Sequence, residues 1–351
     1  MTSRISMRDV ARRAGVSQKT VSRVVNDEPH VSPELRDRVR REIELLGYRP
    51  NTFARALVTR RSRRIGLIST GSGYFGPASL LSGLQRAAHA EGYDVSVIHA
   101  DEHDPQEAGR AVWQLVGHGI DAIALCGPIG SAEIAQHIPH EIPVLRVDLP
   151  EDPAGPAETD GHRVLFVGND DIAAATEATA HLLRLGHRTV HHLAGPPRWA
   201  VTGYRERGWR TALELAGAPR PEVRRGDWSP ASGYRATREL LQDGGVTALF
   251  AANDQMAIGA VHAIERSGRR VPEDVSVIGF DDIPEAGYLS VPLTTVRQDF
   301  ARIAREGMHR LVAAIGHTPA PGTDDTPAGL AIPAELVHRA STAPPPAPAT
   351  A

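Results

Sequence analysis

Apolar and polar positions follow two different rhythms along the chain. Up to residue 48 they recur at helical spacing in short blocks. Val10, Ala11 and Ala14 fall on one stripe of a helix predicted from Met7 to Ala14, with Ser6 as its cap. Gly15 supplies a turn. Ser17 then caps a second helix from Gln18 to about Asn26, which turns Val21, Val24 and Val25 inward and leaves Gln18, Lys19 and Arg23 outward. Ser32 followed by Pro33 opens a third helix that runs to Leu46 and is expected to bury Leu35, Val39, Ile43 and Leu46, and Gly47 stops it.

From Ile65 the rhythm changes. The runs RIGLIST, YDVSVIHA, IDAIALC and PVLRVD, then RVLFVG, TVHHLAG, VTALFAA and VSVIGFDD, are apolar segments of strand length with amphipathic helical stretches between most of them. Such alternation predicts parallel sheets covered by helices on both faces, with ligands beyond the carboxyl ends of the strands. The number of strands suggests two doubly wound halves, with the break in the Pro-, Gly- and acid-rich stretch Pro150 to Gly161. Between the two regions lies RPNTFARALVTRRSRR. Asn51 can cap a helix from Thr52 to about Val58, two turns that are too short to stand alone in water. Arg60, Arg61, Arg63 and Arg64 follow as a phosphate-tracking linker. The stretch APPPAPATA after Thr342 reads as a disordered tail.

Charge divides the chain at the same place. The net charge of −3 over 351 residues conceals a head, residues 1–64, with 16 Lys+Arg against 7 Asp+Glu, and a remainder with 23 against 35. A head of +9 on a body of −12 suggests that the head meets a polyanion. Helix, glycine turn and helix, with polar residues opening the second helix, is the helix-turn-helix pattern, and a helix fits the major groove. The single cysteine, Cys126, excludes an internal disulfide framework and a Cys-rich zinc module, and with the absence of an apolar leader it predicts a cytoplasmic protein.

One motif points elsewhere. Gly71, Gly73 and Gly76 form G-x-G-x-x-G after the strand RIGLIST, and Asp101 follows the next strand, as a nicotinamide-dependent enzyme would require. Against it, Tyr74 and Phe75 sit inside the loop, Pro77 removes one phosphate-facing N–H, and no hydride-transfer constellation accompanies it. There is no G-x-S-x-G elbow, no H-E-x-x-H and no P-loop. His99, Asp101 and His103 alternate as metal ligands would, but among 16 histidines they are expected at the surface. No cofactor and no metal are expected. A transport-type sugar-binding module shares the body's pattern but has no use for a basic head.

The stretches VARRAGVSQKTVSRVVN, YRPNTFARAL, LLRLGH, GDWSPASGY, ANDQMAIGA, VSVIGFDD and PLTTVRQDF, in this order, make the chain similar to the LacI/GalR family of bacterial transcription regulators over residues 4 to 342. The resemblance implies an α/β fold: an N-terminal three-helix helix-turn-helix head and a periplasmic-binding-protein-like body of two doubly wound parallel-sheet subdomains. The implied domains are a head at 1–48, a hinge helix and linker at 49–62, and an effector-binding and dimerisation body at 63–342. Within the body, one subdomain takes 63–161 with 293–320 and the other 162–292 with 321–342, leaving a tail at 343–351. It further implies that Gln18, Lys19 and Arg23 face base edges of double-stranded DNA at a pseudo-palindromic operator. Ala54 and Leu57 would enter the minor groove from paired hinge helices. Asp148, Arg205, Trp228, Asn253, Asp281 and Phe300 would line a cleft for a sugar effector. The chemistry agrees: Arg or Lys can take guanine O6 and N7, Gln can take adenine N6 and N7, and an apolar wedge unstacks a base step. Lys19 is the only lysine of the chain. Cys126 and the lip Gly71 to Pro77 differ in character from a member the chain resembles, which bears on effector preference. No leucine heptads follow the body, so a homodimer is expected.

Overall fold

The computed structural model describes residues 5–26, 28–49, 61–101, 104–128, 137–149, 158–159, 162–316 and 329–347. The chain divides into two compact units, Met1–Ser62 and Arg63–Ala351.

In the first unit the described helices are α1 (Met7–Ala14), α2 (Gln18–Val25) and α3 (Pro33–Leu46). Their ends follow the expected punctuation. The Ser6 N–H and Oγ donate to the Asp9 carboxylate at 3.0 and 2.6 Å, so Asp9 rather than the serine oxygen closes the first turn. Ser17 Oγ accepts from Thr20 N at 3.1 Å, and Ser32 Oγ from Leu35 N at 3.4 Å. Gly15 and Gly47 end α1 and α3 at φ 65° and 61°, the left-handed conformation that glycine adopts without penalty. Val10, Ala11, Ala14, Val21, Val24, Val39 and Tyr48 form the core. Leu35, Ile43 and Leu46, expected to be buried, are only half-covered. A bundle of three short helices has room at its centre for one residue of α3, Val39, and Tyr48 closes it from beyond the helix.

The second unit holds two sheets. The first is built from β1 (Arg64–Ser69), β2 (Asp94–His99), β3 (Ala122–Cys126), β4 (Val144–Arg146), β5 (Glu158–Thr159), β6 (His162–Asn169) and β12 (Gly329–Ile332), in the order β12-β6-β4-β3-β1-β2. All its pairs are parallel except β5, which lies antiparallel against the start of β6. The second sheet holds β7 (His191–Ala194), β8 (Arg224–Arg225), β9 (Ala248–Ala251), β10 (Ser276–Asp281), β11 (Thr294–Arg297) and β13 (Glu335–Val337). Its order is β13-β11-β10-β9-β7-β8, with only β13 antiparallel.

Strands β3, β9 and β10 are buried along their whole length, as apolar runs covered on both faces must be. On the first sheet α4 (Phe75–Ala90) and α10 (Phe300–Ala314) cover one face and α5 (Pro105–Gly117) the other. On the second, α6 (Asp171–Arg184) and α7 (Ala200–Leu215) cover one face, and α8 (Pro230–Leu240) and α9 (Asp254–Arg266) the other. The α8–α9 crossing depends on Gly259, where an added Cβ would lie 1.9 Å from the Pro230 carbonyl oxygen.

The topology corrects the expected subdomain boundaries. Strand β6 belongs to the first sheet, so the first crossing between lobes comes at Asn169 to Asp171 and not at 161. Strand β11 belongs to the second sheet, so the return crossing comes between Arg297 and Phe300 and not at 293. Strand β12 rejoins the first sheet before β13 enters the second. The Pro- and Gly-rich stretch around 150–161 connects two strands of one lobe; the true crossings are short and flanked by apolar residues, which leaves no compositional mark. The tail at 343–351 is also corrected at its start: Ala343 O meets His187 Nε2 and accepts from Ser276 Oγ, both at 3.0 Å, while Ala343 N donates to Ser276 Oγ at 3.0 Å. Among the described residues no helix is long and apolar enough to cross a membrane.

Candidate functional site

The surface of α2 presents Gln18 and Lys19 exposed, and Arg23 half-exposed with Nε 3.9 Å from a Glu28 carboxylate oxygen. Val21 and Val24 anchor the opposite side of the helix in the core. Ala54 and Leu57 lie outside the described residues.

In the second unit, a cavity of about 300 Å³ opens at the carboxyl ends of the strands of both sheets. It brings together all six expected residues of the body: Asp148, Arg205, Trp228, Asn253, Asp281 and Phe300. Their arrangement adds partners that sequence spacing did not show. Asp148, just past β4, is held by Arg146, with Nε at 3.1 Å and a terminal nitrogen at 2.5 Å, and Arg146 lies 5.6 Å from the centroid of the Phe166 ring. Arg205 on α7 is buried. Its Nε donates to Asp171 at 2.8 Å, Nη1 donates to the Ala252 carbonyl at 2.5 Å, Nη2 lies 3.9 Å from Asp281, and the guanidinium stacks 3.8 Å over Phe280. Asp281 ends β10 at φ 115° and accepts from Gln298 Nε2 at 2.5 Å, while Asn169 Nδ2 donates to Gln298 Oε1. Arg146, Asp171 and Gln298 were missed because an acid opening a helix, or an arginine in a strand, has an ordinary structural reading on its own.

Asn253 caps α9. Its Oδ1 accepts from Met256 N at 2.9 Å, and its Nδ2 donates to the Trp228 carbonyl at 3.1 Å and to Gln255 at 2.9 Å. It therefore acts on the cleft chiefly by fixing Trp228, whose backbone stands at φ 71°. A positive φ at a bulky residue is strained, and here it holds an indole in the cleft wall. The ring rests on Gly195, where an added Cβ would come within 2.2 Å of it. Trp199 meets Trp228 edge-on, with centroids 5.9 Å apart.

Burial governs the electrostatics. It raises the Asp148 and Asp171 carboxyls above their ordinary value, against the opposing guanidiniums of Arg146 and Arg205. It pushes Asp281 up to about 7, against Arg205 and the Gln298 hydrogen bond, with Asp171 adding to the rise. The Cys126 thiol, also lining the cleft, is pushed up to about 12 by burial and then by Asp148, and forms an apolar part of the wall. Three guanidiniums, of Arg146, Arg198 and Arg205, and three carboxyls, of Asp148, Asp171 and Asp281, line the cavity, a balance that suits a neutral polyhydroxylated ligand more than an ion.

The glycine motif is occupied by its own aromatics. Tyr74 caps α4 and its hydroxyl donates to the Asp227 carbonyl of the opposite lobe at 3.0 Å. Phe75 packs edge-on to Phe300 with centroids 5.8 Å apart. A second bond crosses between lobes, from the Tyr204 hydroxyl to the Leu149 carbonyl at 2.6 Å. Of the alternating residues considered as metal ligands, His103 lies outside the described residues, and among the described residues no group of three could hold a metal.

Residues 6–51 match the profile of bacterial regulatory proteins, lacI family, and residues 179–342 that of the periplasmic binding protein-like domain. The lactose operon repressor of Escherichia coli (strain K12) is 32% identical over 311 residues, spanning 88% of this chain and 84% of that one. The chain belongs to the lacI family. A lacI-family regulator binds DNA and is not an enzyme, which disposes of the nicotinamide reading. Two solved relatives have the same fold. A lac repressor dimer bound to operator and the anti-inducer ONPF superposes with a TM-score of 0.83 at 30% identity, covering 97% of this chain and 99% of that one. A complex of the transcriptional regulator CelR with cellobiose gives 0.69 at 32% identity, covering 96% and 100%.

Proposed function

We propose that this lacI-family regulator is a repressor of carbohydrate uptake or catabolism genes. As a homodimer it binds a pseudo-palindromic operator, from which a neutral sugar, a galactoside or related glycoside, releases it. The observation that carries the reading is a cleft in which charge-paired carboxyls and guanidiniums face indole and phenyl rings. Hydroxyls engage the first set, and the C–H face of a pyranose packs on the second. The relatives named for the lactose operon and for a cellobiose complex support the same ligand class.

In this mechanism Asp148, Arg205 and Asp281 bind ring hydroxyls, Asn253 holds Trp228 in place, and Phe300 closes the apolar side. Gln18, Lys19 and Arg23 read base edges, and Ala54 and Leu57 belong to paired hinge helices in the minor groove. Two-turn helices do not persist unpaired, so a change of lobe arrangement that parts them frees the DNA. A ligand shifts this balance only through its preference for the released form, with a coupling of about 1–3 kcal/mol typical of allosteric proteins. A thermal-shift screen of galactosides and glucosides, followed by operator binding with and without the stabilising sugar, tests the reading. A sugar that stabilises the protein and weakens operator binding supports it; stabilisation by a dinucleotide alone overturns it.

A further inference from the structure

We propose that Tyr74 and Tyr204 form a two-point latch across the cleft, and that a ligand enters and leaves only when both hydroxyl bonds break. The inference keeps the sugar reading above for the occupant and adds a gate that sets how fast it exchanges.

The two bonds run in opposite directions. Tyr74, on the first lobe, donates to the Asp227 carbonyl of the second, one residue before Trp228. Tyr204, on the second lobe and one residue before Arg205, donates to the Leu149 carbonyl of the first, one residue after Asp148. Each bond thus sits beside the cleft residues it spaces. Both tyrosines line the cavity, with the Tyr74 bond exposed and the Tyr204 bond half-buried. The cavity of about 300 Å³ exists with both bonds made, so an occupant can be enclosed behind a closed latch.

The glycine motif serves the same latch. Gly71 stands at φ 68°, in the left-handed region, and turns the chain out of β1. Gly71 N donates to Ser69 Oγ and Tyr74 N to Ser72 Oγ, both at 3.3 Å, which stiffens the loop. The Tyr74 and Phe75 rings pack on an apolar cluster of the second lobe, and Phe75 also packs on one of the first. The acceptor side is fixed as well: Asp227 N donates to Ser232 Oγ, and Asp227 Oδ1 accepts from Ser229 N, both at 3.0 Å. A latch closed with and without an occupant cancels from the affinity and remains in the rates. Weakening it makes the open form commoner in free and occupied protein alike, so entry and exit quicken by the same factor.

Cys126, 2% exposed and the single cysteine of the chain, lines the same cavity and reports its opening without any ligand. The test is the rate at which N-ethylmaleimide alkylates Cys126 in the full chain, followed by intact mass. Tyr74→Phe and Tyr204→Phe, each losing a hydroxyl and keeping the ring, should raise the rate roughly twofold to tenfold apiece, and the double variant by the product. Wild-type rates in both variants overturn the latch. So does a rate that climbs with urea as steeply as global unfolding, which shows Cys126 reacting only from the unfolded chain. Stopped-flow tryptophan fluorescence with lactose and cellobiose reads the exchange itself: for a sugar that binds, association and dissociation quicken together in the variants while Kd holds. A raised Kd with unchanged association marks the hydroxyls as sugar contacts and overturns the latch. Binding of neither sugar counts against the sugar reading alone, and the Cys126 rates still decide the latch.

Discussion

Gly195→Ala should produce a repressor that holds its operator but responds to sugar only at higher concentration. Gly195 follows β7, its backbone is in an ordinary region for any residue, and the obstacle is the Trp228 ring. A Cβ there would lie 2.2, 2.3 and 2.6 Å from three of its carbons, where contacts between carbons settle near 3.5–4.0 Å. The indole must therefore shift by about 1 Å or more. Two features resist the shift: Trp228 is buried, and its carbonyl is tied to Asn253. Over-packing of this kind typically costs about 1–3 kcal/mol. Taken out of ligand binding, that is a loss of roughly fivefold to 150-fold in sugar affinity. The DNA-reading residues belong to the other compact unit, so operator affinity without sugar should match wild type. Titration calorimetry with the sugar and fluorescence anisotropy with labelled operator read the two quantities separately. Wild-type sugar affinity in Gly195→Ala would refute the placement of Trp228 in the binding wall.

Val21→Ala removes a fully buried side chain from the small core beneath α2 and should destabilise the head by about 1–3 kcal/mol, reducing operator affinity while sugar affinity stays unchanged in calorimetry. His192, stacked between Trp209 and Phe250 with Nδ1 3.0 Å from the Phe250 carbonyl, has its pKa pulled by burial from 6.5 down to about 4. The unfolded chain thus takes up this proton first: the neutral ring's contribution is fully present above pH 6.5 and is lost as pH falls through about 4, up to about 3 kcal/mol in all. Urea midpoints measured across that range should show the loss, and a His192→Phe variant with the same acid slope would contradict it. Asp281, pushed up to about 7, accepts sugar hydroxyls best when ionised, so sugar affinity should rise roughly tenfold from about pH 6 to about pH 8. An Asp281→Asn variant with the same pH profile would contradict that role.

The head was legible almost residue by residue, because its signals are local. Caps at Ser17 and Ser32, glycines at 15 and 47, and the valines of α2 act within one or two turns of their own position. The alternation of strands and helices was equally plain, since parallel strands covered on both faces are written as unbroken apolar runs. What escaped was which partners hold the cleft residues across distance. The Arg205–Asp171 pair joins residues 34 positions apart, and the Tyr74 and Tyr204 bonds between lobes join residues 153 and 55 apart. In the sequence Asp171 is an acid in the first turn of a helix and Tyr74 part of a glycine loop. The lobe crossings escaped for a related reason. A strand that changes sheet needs no special residue, whereas the Pro- and Gly-rich stretch that drew attention is a connection within one lobe. Asn253 shows two readings to be compatible: it is a helix cap, and by that geometry it fixes the ring of the cleft.

In the proposed mechanism, occupation of the cleft in the Arg63–Ala351 unit changes how the Met1–Ser62 unit holds DNA. Fluorescence anisotropy of a labelled operator, with the full chain at fixed concentration and fixed salt, tests it as the sugar that stabilises the protein is titrated in. Anisotropy should fall to the value of free DNA along the binding curve of the sugar, and Gly195→Ala should shift the midpoint to higher sugar concentration. Operator binding that is unchanged, or tightened, when the cleft is saturated would contradict it.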